Sequence, residues 1–215
     1  MPPEDRRRKS NTVGIIMGVI ALVLVAGGGY YAWQSMSEAP VVEAPVTPVV
    51  PVDNRATFAS STMRIAFKYP SGFTLNDSFS NISVNPKKPI SGVKLTLPIE
   101  MATGTNLSAD SGISIEQLPR ANNCSGDIYL AANVRPKKIV EGAVTYSLAT
   151  SSEGAAGNLY EEWVYAVASS SPCTAVRYFF HSTQVANYAT GTIRQFDRAA
   201  LLLEFDKIRQ SLVLQ

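Results

Sequence analysis

The chain has 215 residues, 46% of them apolar, and 19 Lys and Arg against 17 Asp and Glu give a formal net charge of +2. That length suits one domain with appendages. Arg6, Arg7, Arg8 and Lys9 outweigh Glu4 and Asp5 and supply the whole excess; with no concentrated basic face for phosphates, nucleic acid is excluded as a partner.

Residues 1–12 read as a basic cytoplasmic tail. Residues 13–33, VGIIMGVIALVLVAGGGYYAW, carry no charge. As a helix rising about 1.5 Å per residue they span roughly 30 Å, the thickness of a hydrocarbon core. No Lys or Arg then occurs before Arg55, whereas Glu38, Glu43 and Asp53 do, so the positive-inside bias places the remainder outside the cytoplasm. A cleaved signal peptide shares the basic start and apolar centre. Tyr30, Tyr31 and Trp33 instead extend the run to a full span and suit the outer interface. The reading is a retained single-pass anchor, with a secreted chain as the alternative.

Residues 34–53 form a linker. APVVEAPVTPVVPV, Ala39 to Val52, is rich in proline, which removes backbone donors and favours the extended polyproline form. At about 3.1 Å per residue it reaches roughly 43 Å.

Residues 54–215 are expected to fold as an extracytoplasmic α+β domain, an antiparallel sheet with a C-terminal helix packed on it. MRIAFKYP alternates, with Ile65, Phe67 and Tyr69 on one side, and YPSG closes it as a turn. FTLND, ISVN, VKLTLP and GISIEQL are further strand candidates, and Met101 to Gly112 reads as a loop. The doublets Lys87-Lys88 and Lys137-Lys138 read as solvated turns. Three longer strands, Gly142–Ser151, Asn158–Ala168 and Cys173–Thr183, are separated by the turn-rich joints EGAAG and SSSP, which predicts consecutive hairpins. TIRQFDRAALLLEFDKIRQSL is predicted helical, with Phe196, Ala200, Leu203 and Ile208 near one stripe and Arg198, Lys207 and Arg209 facing water.

Cys124 and Cys173 are the two cysteines. In a domain outside the cytoplasm they are expected to form one disulfide. The single His181, beside Phe179 and Phe180, is the candidate general base or lone metal ligand, against a structural role at a strand end. Glu161 and Glu162 invite a paired-carboxylate reading, but neighbours on a strand point to opposite faces. One of them can instead meet Arg177 across the hairpin. Tyr160, Trp163, Tyr165, Tyr178, Phe179 and Phe180 read as core and cross-strand pairs, with an exposed aromatic platform as the alternative. There is no Walker loop, no G-x-S-x-G elbow and no zinc-ligand spacing, so no cofactor or metal is expected.

IAFKYPSGFTL and FDKIRQSLVL resemble the two ends of PsbP-like domains, found in many small anchored or lipidated bacterial proteins. With the GNLYEEWVYA and VRYFFHS hairpin the resemblance covers Phe58 to Leu214. It implies an antiparallel sheet covered by helices. PsbP itself is an extrinsic accessory protein of photosystem II; no binding motif matches, so no residue role carries over, and photosynthesis is not implied. The expected function is a membrane-anchored binding or accessory module of the cell envelope, with a protein or glycan partner and no assigned oligomeric state. The competing expectation is a hydrolase with a scattered site near His181.

Overall fold

The computed structural model describes residues 54–215; the expected tail, spanning helix and linker lie outside the described residues. Among the described residues no helix is long and apolar enough to cross a membrane. Strands β1 (Arg55–Ser60), β2 (Ile65–Pro70) and β10 (Val213–Leu214) form a three-stranded sheet in the order β1-β2-β10. The other strands are β3 (Thr74–Asn81), β4 (Ile90–Thr96), β5 (Gly112–Leu118), β6 (Lys137–Glu141), β7 (Val144–Ala155), β8 (Asn158–Val167) and β9 (Cys173–Thr183). They build a seven-stranded sheet in the order β3-β4-β5-β9-β8-β7-β6, antiparallel at every pairing. The architecture is α+β, with a C-terminal helix Arg198–Gln210.

Period-two alternation gives the large sheet two different faces. On one face Val93, Leu95, Ile113, Ile115, Tyr165, Val176, Tyr178 and Phe180 join Ile65 and Phe67 of β2 and the helix residues Leu201, Phe205 and Ile208 in the main core. On the other, a smaller cluster forms where Tyr129, Leu130 and Cys124 of the segment 119–136 cover Val164, Ala166, Cys173 and Ala175. The remainder of that second face, toward β3 and the far ends of β8 and β9, lacks this cover and holds the candidate site.

Local chemistry moved several expected boundaries. ISVN is not a strand: the backbone N–H and hydroxyl of Ser83 both donate to Asn81 Oδ1, at 2.9 and 2.7 Å, and this side-chain turn ends β3. The joint after β7 does fall in EGAAG but is shorter than that word, because β7 runs on to Ala155. The reversal is Ala156-Gly157, with φ of 49° and 82°, the pair of positive angles that a two-residue hairpin turn requires. Lys137 and Lys138 do not lie in a turn but open β6, where charged side chains guard an edge strand.

The helix begins at Arg198 rather than Thr192, because Asp197 accepts a hydrogen bond from the Ala200 N–H at 2.9 Å and caps it. Its buried stripe is Leu201, Phe205 and Ile208, while Ala200 and Leu203 are exposed. Arg209 does not face water. It is 2% exposed, bound by Glu141 (2.9 and 3.1 Å), Asp206 (2.9 Å) and Tyr178 Oη (2.7 Å). It also lies against the rings of Tyr146 and Tyr165, at 4.8 and 4.2 Å from their centroids.

Candidate functional site

Arg177 occupies the middle of β9 on the second face, opposite Ser114 of β5 and Val164 of β8. From there it reaches diagonally to a carboxylate on each side. Nε donates to Glu116 Oε1 at 2.8 Å and Nη2 to Glu116 Oε2 at 3.0 Å, a two-point fork. Nη1 donates to Glu162 Oε1 at 2.6 Å, and Nη2 also reaches the Tyr129 carbonyl at 2.6 Å. Arg177 is 3% exposed and Glu116 0%. Burial works against the guanidinium charge, yet Glu116 foremost, then Glu162, hold its pKa above the ordinary arginine value. Asn81 Nδ2 and Ser114 Oγ donate to Glu116 as well, at 3.1 and 2.7 Å, so the buried charges are paired and hydrogen-bonded.

Above this network the sheet dips into a cleft of about 170 Å³, with Phe79, Lys94, Ser114, Glu162, Arg177 and Phe179 in its lining. The dip has a backbone cause. Gly112 opens β5 where a Cβ would fall 2.3 Å from the Leu95 carbonyl oxygen, so no side chain stands at that position. Phe79 rises on one side from β3 and Phe179 on the other from β9. Lys94 Nζ lies 5.7 Å from each ring centroid and donates to the Asp110 carbonyl at 3.1 Å. An open hollow of about 860 Å³ lies elsewhere, but among the described residues it is lined from within the stretch Leu118 to Ile128, without polar groups converging from other elements.

His181 lies farther along β9 on the same face. Its ring stacks on Tyr160 at 4.4 Å, and Tyr160 lies 6.5 Å from Phe179, so the rings form a row. Nδ1 faces Asp110 Oδ1 at 2.8 Å and Nε2 faces Asn158 Oδ1 at 3.1 Å. Both nitrogens are thus engaged, and among the described residues neither is bonded to a hydroxyl. The hydroxyl of Ser111, next in sequence to Asp110, bonds the His181 main chain.

The two adjacent glutamates are separated by the sheet. Glu162 joins Arg177 on the cleft face, whereas Glu161 pairs with Arg198 of the helix on the opposite face. Among the candidates, Arg177 and Glu162 therefore meet at the cleft, His181 lies beside it, and Glu161 belongs to the other face. Cys124 and Cys173 form a disulfide, with Cα atoms 5.1 Å apart. It ties the segment 119–136, and with it the Tyr129 carbonyl that Arg177 binds, to the start of β9. Among the described residues no group of three or more His, Cys, Asp or Glu side chains is placed to hold a metal ion.

Sequence reasoning missed Phe79, Lys94, Asp110, Glu116 and Asn158. A weak signal existed in GISIEQL, where alternation sets Ser114 and Glu116 opposite Ile113 and Ile115. It marks the face without revealing that Glu116 is buried.

No family model and no curated protein matches the chain. Among solved structures, a crystal structure from Bacteroides thetaiotaomicron is similar with a TM-score of 0.44 and 11% identity, over 75% of this chain and 49% of that one. The chain thus spans about half the length of that protein. The solution structure of cyanobacterial PsbP from Synechocystis is similar with a TM-score of 0.31 and 12% identity, over 82% of this chain and 100% of that one. The chain has a weak PsbP-like fold resemblance, which assigns no ligand and no residue role.

Proposed function

We propose that the chain is a single-pass membrane protein, with a cytoplasmic N-terminus, whose domain outside the cytoplasm serves as a binding or accessory module. The observation that carries the binding reading is the cleft itself, with two aromatic walls over a floor whose polar groups are already engaged. Ser83 and Ser114 donate their hydroxyls to Asn81 and Glu116, and Glu116 is forked by Arg177. Such a floor is rigid and presents its surface without committing a nucleophile to a base. The disulfide supports the location, since such bonds persist in oxidising compartments. The uncharged run at residues 13–33 and the basic tail before it support the anchor.

The experiment is a thermal-shift screen of the full chain against a mixed panel of sugars, amino acids, short peptides and small anions, with turnover followed in parallel. The expected result is a saturable rise in melting temperature that Phe179→Leu removes, with no product formed. Turnover that His181→Gln abolishes in a folded variant would replace the binding reading with the hydrolase one.

A further inference from the structure

The chemistry of the cleft narrows what it accepts. Its walls include the rings of Phe79 and Phe179, each with the Lys94 ammonium 5.7 Å from its centroid, and these favour a guest with C–H groups on its surface. Lys94 spends one ammonium hydrogen on the Asp110 carbonyl and keeps two for a guest. Across the dip, Glu162 gives Oε1 to Arg177 at 2.6 Å, while Oε2 has only a long 3.4 Å hydrogen bond from Ser151. One side therefore offers donors and the other an acceptor.

Charge decides between guests. Lys94 and Arg177 balance Glu116 and Glu162, so the lining and its floor are neutral together. An anion would meet Glu162 in the lining with the buried Glu116 beneath it, and a cation would meet the Lys94 ammonium beside the rings. A zwitterion would need Glu162 as the partner of its cation, yet that carboxylate is already matched by Arg177. Hydroxyl groups both donate and accept, so a polyol with an apolar ring face satisfies Lys94, Glu162 and both phenyl walls at once.

From this complementarity we infer that the cleft binds a neutral saccharide unit, packed against Phe79 and Phe179, with Lys94 donating to its hydroxyls and Glu162 accepting from them. The volume of about 170 Å³ is below that of pockets for drug-sized ligands and suits one ring. The row from Phe179 to Tyr160 and His181 continues the apolar track for a linked second unit. The inference rests on the binding-module reading and names the ligand class of that site.

The test is a ligand-observed NMR titration of the full chain, in a detergent without a sugar headgroup. The probes are glucose, galactose, N-acetylglucosamine and their β-linked dimers, with glycine, acetate and choline in parallel. At least one saccharide binds saturably, with an affinity that salt does not change, as expected of an uncharged ligand. Phe179→Leu and Lys94→Met each weaken it about tenfold, whereas Tyr188→Ala, outside the cleft, leaves it unchanged. Melting curves establish that each variant is folded, and the leucine substitution keeps the apolar bulk that alanine would remove. Saccharide binding that survives Phe179→Leu in a folded variant overturns the assignment. If glycine, acetate or choline binds in a Phe179-dependent way and the sugars do not, the saccharide inference falls and the binding module stands. If no probe of any class binds, both fall at this cleft.

Discussion

Arg177 holds the polar face together by bonding two carboxylates and one carbonyl from three separate parts of the chain. Arg177→Met is expected to cost about 3–5 kcal/mol in urea unfolding, because Glu116 would be left buried without its counter-ion. Loss below about 1 kcal/mol, the range of an exposed pair, would contradict this account. Buried phenols make a second expectation. Burial raises Tyr165 to about 12 from an ordinary 10.0 and also pushes Tyr129 and Tyr178 upward. The folded state therefore holds these protons more tightly than the unfolded chain. Their contribution is complete below pH 10.0 and is lost as pH rises above it. Urea midpoints should fall progressively through that alkaline range, with the phenolate absorbance of these residues appearing only on unfolding. At this scale the sequence was partly legible. YEEW and VRYFF put Glu162 within reach of Arg177, and the pair forms. Glu116 was hidden, since a charged residue on an alternating strand reads as solvent-facing until the segment 119–136 is known to close over it. Arg209 was misread for the same reason, as its partner Glu141 lies in a strand that went unnoticed.

Elements with strong alternation were readable, and the short ones were not. GISIEQL coincides with β5, and the words for β8 and β9 are within a residue of the observed strands. β1, β6 and β10 escaped because their patterns are brief and their pairing is set by tertiary contacts. The disulfide was legible from the expected compartment and the count of two cysteines, and it acts at this scale by fixing an irregular segment on a sheet. For a separation of 49 residues the chain-entropy model gives a contribution on the order of 4 kcal/mol. The double variant Cys124→Ser with Cys173→Ser should lose stability of that order. Hydrogen exchange should accelerate first in 119–136, before the main core around Phe205 and Ile115. Uniform acceleration across β4, β5 and the helix would show instead that the segment and the core open as one unit.

For the whole molecule, residues 54–215 carry a core of their own. A chain trimmed to Asn54 is expected to unfold cooperatively with its disulfide intact, which mass measurement before and after reduction would check. The proposed orientation predicts that protease added to intact cells removes the domain while an N-terminal epitope tag stays protected. A domain shielded until lysis would reverse that orientation. The α+β class was readable because strands dominate the middle and a helix closes the chain. The two-faced character of the large sheet was not, since which face receives a covering segment depends on residues far apart in sequence.

The bridge from Cys124 and the hydrogen bond from Arg177 to Tyr129 secure the same stretch of backbone. A newly made polypeptide with both thiols still reduced would present a half-finished trough, its guanidinium short of one anchor. On the proposed location and binding role, maturation would then run in one direction: export, sulfur oxidation, and only afterwards competence for a guest.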